Sequence, residues 1–168
     1  MFLNKKIIAA LAVCTASSAF AETVPITGMV ESRCIIQTDT SGVYGNPTAY
    51  TLTTDPTQGG VPAIVRIDVT LADAYYADIT APTEFSSSPN LPDVVTWSGD
   101  TEVEAVSDAG TMGTYESNKI EFGYTDRYDL VATGSTWFKT SSEAVLGGSR
   151  PYPGGQYTAL VTAECIAK

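Results

Sequence analysis

Glu22-Thr-Val-Pro-Ile-Thr-Gly-Met-Val-Glu-Ser-Arg-Cys34 is the stretch on which the reading of this chain turns. Val24, Ile26, Gly28 and Val30 occupy every second position. In an extended backbone they share one face. The segment is therefore either the ordinary first strand of a closed sheet protein or an assembly strand that leaves its own domain.

What precedes it reads as a secretion signal. Lys5 and Lys6 form a basic start, Ile7 to Val13 an apolar run, and Ala19-Phe-Ala21 a small-residue cleavage pattern. The apolar run is far shorter than the roughly 20 residues that span a bilayer. The predicted organisation is a signal peptide over 1–21, an extension over 22–33 and one β domain over 34–168. The mature product is expected to be exported, with no direct membrane insertion.

The 168-residue chain carries 9 basic and 19 acidic side chains, a net charge of −10. Loss of Lys5 and Lys6 with the signal leaves 7 basic residues and a net charge of −12. Nucleic-acid binding needs a basic footprint, which this composition does not supply. Acidity of this kind suits solubility outside the cell.

Two cysteines remain after processing, Cys34 and Cys165. An oxidising compartment favours their pairing. The chain holds no histidine, so no Ser-His-Asp arrangement and no histidine-built zinc site is available. It has neither a Gly-x-Ser-x-Gly elbow nor a Gly-rich phosphate loop. Glu102 and Glu104 share a strand face, but as a solvated polar surface rather than a glycosidase pair. Asp126 with Asp129, or Asp100 with Glu102, lacks a calcium-loop spacing. No enzyme activity, metal or cofactor is expected.

The rest of the chain reads as short strands separated by Gly and Pro, the pattern of an antiparallel β-sandwich. Ala63 to Leu71 is the clearest strand, with Val65, Ile67, Val69 and Leu71 alternating against Arg66, Asp68 and Thr70. Ala72 to Ala77 is ambiguous and has room for a helical turn. Ile79 to Pro92 reads as a loop or irregular edge. Gly99-Asp100 is expected to turn a hairpin between Asp93–Ser98 and Thr101–Val106. Lys119 to Tyr124 and Tyr128 to Thr133 are expected to pair about Thr125-Asp126. Trp137-Phe138-Lys139 reads as a short strand or an aromatic plug, Ser141 to Gln156 as loop, and Tyr157 to Ile166 as the last strand. Exposed aromatics, with Trp97 and Trp137 foremost, offer a possible sugar-stacking surface, against which stands simple core filling.

Ile26-Thr-Gly28-Met-Val30-Glu-Ser-Arg-Cys34 at the front and Pro153-Gly-Gly-Gln-Tyr157-Thr-Ala-Leu-Val-Thr-Ala163 at the back resemble chaperone–usher pilus (fimbrial) subunits, including their spore-coat-U-like branch. The resemblance covers roughly 30 residues. It implies an immunoglobulin-like sandwich that lacks its last strand and is completed by donor-strand exchange. Val24, Ile26 and Val30 would then be groove-filling knobs, with Gly28 where the groove is shallow. The implied partners are other pilus subunits, a periplasmic chaperone and an outer-membrane usher. The implied product is a surface fimbria serving attachment or biofilm. Pro25, the shortness of the extension and a first-to-last-strand disulfide depart from that pattern. The alternative from the residues is a secreted sandwich that binds carbohydrate or matrix polymer.

Overall fold

The computed structural model describes residues 25–29, 31–108, 112–148 and 150–168. The signal segment, Val24 and Val30 lie outside the described residues. One compact unit runs from Glu31 to Lys168, and residues up to Val30 form a separate unit.

The compact unit is all-β and antiparallel. Its strands are β1 (Cys34–Thr40), β2 (Gly45–Thr48), β3 (Thr51–Thr53), β4 (Ala63–Val69), β5 (Tyr75–Thr80), β6 (Phe85–Ser87) and β7 (Val95–Val106). After a short helix α1 (Met112–Ser117) come β8 (Ile120–Phe122), β9 (Thr125–Asp129), β10 (Gly134–Leu146), β11 (Thr158–Ala159) and β12 (Thr162–Ala167). In the larger sheet, β10 is central. β4 pairs with its first half and β3 with its second on one side, and β7 runs along the other. β1 flanks β4 and β2 flanks β3. The second sheet has the order β12-β5-β9-β8, and β6 and β11 form a small ribbon.

The core lies between the two sheets. Ile67, Val69, Val103 and Phe138 from the larger sheet meet Ala77, Ile79, Tyr128 and Leu130 from the other side. The Phe138 and Tyr128 rings sit 4.9 Å apart. The predicted alternation of Val65, Ile67 and Val69 holds. Ile67 and Val69 are buried and Val65 packs against them. The strand ends at Val69, leaving Leu71 44 % exposed.

Several local readings are corrected. Gly99-Asp100 makes no turn, because β7 is one 12-residue strand through both. A Cβ on Gly99 would lie 2.8 Å from the Ala81 Cβ and 2.8 Å from the Ser141 carbonyl oxygen. The glycine marks a close approach between elements, the other common reason for glycine inside a strand. Ala72 to Ala77 gives way to strand β5 rather than a helical turn. The β8–β9 turn falls at Gly123-Tyr124, where Gly123 takes φ +68°, rather than at Thr125-Asp126.

Trp137-Phe138-Lys139 belongs to β10, 13 residues long, and Ser141 to Leu146 is its second half rather than loop. The buried positions of β10 include Thr140 and Ser142, the second of which falls in the stretch expected to be loop. Thr140 shares a hydroxyl contact of 3.1 Å with Thr101, and Ser142 one of 2.9 Å with Tyr44. Buried hydroxyls with partners of this kind cost the core little. The expected last strand divides: β11 pairs with β6, and β12 with β5.

Candidate functional site

The two long sides of the sandwich differ. On one, β1 pairs only with β4, and β12 only with β5, among the described residues. Each keeps an unpaired edge. Cys34 and Cys165 join the two edges by a disulfide with Cα atoms 6.4 Å apart, as the sequence predicts. From this staple, β1 runs toward Thr40 while the chain on the opposite edge runs back through Ala163 and Val161 to Ala159.

Register shows which side chains point inward. Ile36 sits opposite fully buried Ile67, so it faces the core, yet it is 40 % exposed. Ala163 sits opposite fully buried Ile79 and is half-buried. Inward-facing apolar groups on both edges are thus only partly covered. Farther from the staple lies a cleft of about 330 Å³, lined by Thr38, Thr40, Val65, Pro82, Thr140 and Val161 among others. Leu160 beside it is 64 % exposed. This side has two strand edges without a sheet partner among the described residues, and the cleft beside them is lined by both apolar groups and hydroxyls. It can accept an extended chain that brings hydrogen bonds to the edges and apolar side chains to the cleft.

Of the proposed donor residues, Ile26 is 99 % exposed, and a Cβ on Gly28 would meet nothing within 4 Å. Met29 between the knob positions is 87 % exposed. The compact unit begins at Glu31, where Arg33 N–H donates to the Thr70 hydroxyl over 2.9 Å and Thr70 N–H to the Arg33 carbonyl over 3.1 Å.

The opposite long side is filled by side chains. β7 is an edge strand, but outward backbone groups on three of its residues are engaged by side chains. Thr101 N–H donates to Asp126 Oδ2 over 2.9 Å, and Val103 N–H to Glu116 Oε1 over 2.5 Å. The Thr101 carbonyl accepts from Lys119 Nζ over 2.9 Å and from the Tyr128 hydroxyl. The Trp97 carbonyl accepts from the Tyr124 hydroxyl over 3.0 Å. Asp126, Asp100 and Glu121 bring carboxylate oxygens within 4.8 Å of one another. The Lys119 ammonium already occupies that space, 2.5 Å from Asp100 and 3.5 Å from each of the others.

Burial holds the Asp126 carboxyl above its usual range, offset in part by the Thr101 N–H and Lys119. Burial pulls the Lys119 amine down, but the bond to Asp100 and the charges of Asp126, Asp100 and Glu121 outweigh it, leaving it above the ordinary lysine value. Asp126 is buried, whereas Asp129 lies at the next-but-two position of β9 on the other face, bound to Lys168. These two carboxylates cannot share an ion.

Trp97 and Trp137 are not brought together. Trp97 lies opposite fully buried Ala144 and faces inward, 4.7 Å from Phe85. Phe85 also meets Tyr44, Tyr152 and Tyr157, so the aromatics cover one end of the sandwich and pack on each other. Trp137 is on the outer face, where its Nε1–H donates to Asp39 over 3.1 Å and the Arg66 guanidinium sits 5.7 Å from the ring centre. Glu102 and Glu104, also on an outer face, are both bound by Lys139, at 2.6 and 2.7 Å. The hydrogen bonds that Lys139 donates to Glu102 and then Glu104 raise its amine.

The aromatic end gives a pH prediction. Burial raises the Tyr152 hydroxyl to about 12, with Tyr157 and Tyr44 adding to it, and raises Tyr44 against a weaker opposing effect of Ser142. Both keep their protons more tightly folded than unfolded. Their contribution is therefore complete below the ordinary tyrosine value of 10.0 and is lost as pH rises through the folded values. The urea midpoint is expected to fall from about pH 10 to pH 12, and to fall less in Tyr152→Phe. A flat midpoint across that range contradicts the assignment.

No family model matches the chain, and neither a curated protein nor a solved structure matches it.

Proposed function

We propose that this chain is a structural subunit of a surface fibre, an incomplete immunoglobulin-like sandwich completed by the leading segment of another copy. The observation that carries this reading is the open side. Two strand edges without a sheet partner among the described residues, β1 and β12, flank inward-facing residues that are only partly covered. A partly apolar floor between such edges is a liability in an isolated chain and an asset in a strand-accepting one. The leading segment has the complementary alternation of apolar residues, with a backbone that can pair except at Pro25, which has no N–H.

The lengths agree. Seven residues of β1 extend over about 20 Å, and residues 22–30 over about 30 Å, leaving a short span to reach the next body. Val24, Ile26 and Val30 supply the knobs, and Gly28 passes where the floor is high. The resemblance to chaperone–usher subunits fits this use of the edge. It adds a periplasmic chaperone that covers the open side in transit, an usher that exchanges it, and export to a cell-surface fimbria that supports attachment or biofilm.

The competing reading, a carbohydrate-binding module built on Trp97 and Trp137, loses its platform. The two rings lie on opposite faces of one sheet. The deciding experiment is a denaturing gel, run unboiled, of material sheared from cells. A ladder of multiples that collapses on boiling is expected. A lone monomer band would mean a self-contained domain.

A further inference from the structure

We propose that Glu116, Lys119 and Asp126, with the hydroxyls of Tyr124 and Tyr128, are a guard that denies strand addition at β7, the longest edge strand, and so directs another copy to the β1–β12 side. The guard stands on hydrogen bonds within the compact unit. Its role in directing a fibre rests on the proposed function.

At 12 residues, β7 is longer than either β1 or β12, and it lies at a sheet edge. A long edge is a template for another chain unless its backbone groups are hidden or charged. Every outward group named above on Trp97, Thr101 and Val103 is already engaged by a side chain. All five of those side chains come from one stretch, Glu116 to Tyr128. Tyr115, 1 % exposed, anchors the helix that carries Glu116. An incoming strand would have to displace the Glu116 carboxylate from Val103 N–H and the Lys119–Asp126 pair from Thr101. The edge of β1 carries no such cover among the described residues. Its neighbours are Ile35 and Ile36, 48 % and 40 % exposed. The two long edges of the larger sheet therefore differ: β7 is engaged by charged and hydroxyl side chains, whereas β1 presents half-exposed isoleucines. A linear fibre requires that asymmetry, since two receptive edges per copy would give branches and lateral sheets.

The test uses the full mature chain carrying Ile26→Asp, which disables the leading segment, with and without Glu116→Ala or Lys119→Met. Mass by light scattering against concentration and amide exchange at Thr101 and Val103 are read together. Ile26→Asp alone is expected to remain a single chain with slow exchange at both amides. Adding Glu116→Ala is expected to speed exchange at Val103 by about tenfold, the loss of one charge-assisted hydrogen bond, and to produce pairs of chains. Lys119→Met is expected to shift mass further, and Lys119→Arg, which keeps charge and donor, to restore the single chain.

A Glu116→Ala chain with its disulfide and circular dichroism intact that shows no faster Val103 exchange, or that exchanges faster yet never associates, overturns the guard. Glu116 is itself exposed, so this variant decides the matter if Lys119→Met fails to fold. Should the Ile26→Asp chain still polymerise, the strand-donation reading fails. The guard is then judged on the increase in mass that Glu116→Ala adds.

Discussion

Ile26→Asp is expected to reduce the polymer to single chains while leaving the compact unit folded. Ile26 is 99 % exposed in the isolated chain, so the substitution removes no intramolecular packing. In the fibre the same side chain would be buried on the floor of a neighbour's open side. Covering an isoleucine contributes about 2 kcal/mol, and an unpaired carboxylate in an apolar cleft costs several more. Together, about 5 kcal/mol weakens each junction by more than three orders of magnitude. Gel ladders and light scattering read the effect. Ile26→Val, which loses one methylene, is expected to shorten the ladder only slightly. An unshortened ladder from Ile26→Asp would mean that the junction is made elsewhere.

Replacing both Cys34 and Cys165 by serine is expected to bring the second large effect. The bridge closes a sequence separation of 131 residues. Chain-entropy arithmetic places its contribution at about 5 kcal/mol, which in a domain of this size is a fall in melting temperature of roughly 15 °C. Few other contacts hold β1 toward β12, so the staple also fixes the spacing of the two edges. The variant is expected to lose strand acceptance before it loses its fold. At a temperature where circular dichroism is still native, it should donate its leading segment to wild-type chains but not accept theirs. A variant that accepts as well as wild type would show that the edges are spaced without the bridge.

The parts of the fold that were legible in sequence were those whose chemistry is local. Val65, Ile67 and Val69 alternate because one face of β4 is core and the other is wet. Cys34 and Cys165 are the two cysteines outside the stretch that reads as a secretion signal, and they are paired. The misreadings have physical causes. Gly99 looks like a turn residue, but its bareness serves contact with Ala81 and Ser141, which no neighbouring residue announces. The second half of β10 looks like polar loop because Thr140 and Ser142 are buried through partners 39 and 98 positions away. The guard on β7 was invisible for the same reason. Glu116, Lys119 and Asp126 are ordinary surface charges until the topology sets them against Thr101 and Val103. The open side was legible only in outline, since alternation predicts an extended segment but not which edges lack a neighbour.

The most direct measurement places a cysteine on each side of the supposed junction. Mature chains carrying Ile26→Cys are mixed with chains carrying Thr38→Cys, assembled, oxidised, and run boiled without reductant. Thr38 lies on β1 opposite Val65 and lines the cleft. A covalent band of two chains, seen only when both variants are present and absent when Ile35→Cys on the outer face replaces Thr38→Cys, is the predicted result. Fibres that form normally yet yield no such band at Ile36, Thr38 or Ala163 would contradict the claim that one copy's leading segment lies between β1 and β12 of the next.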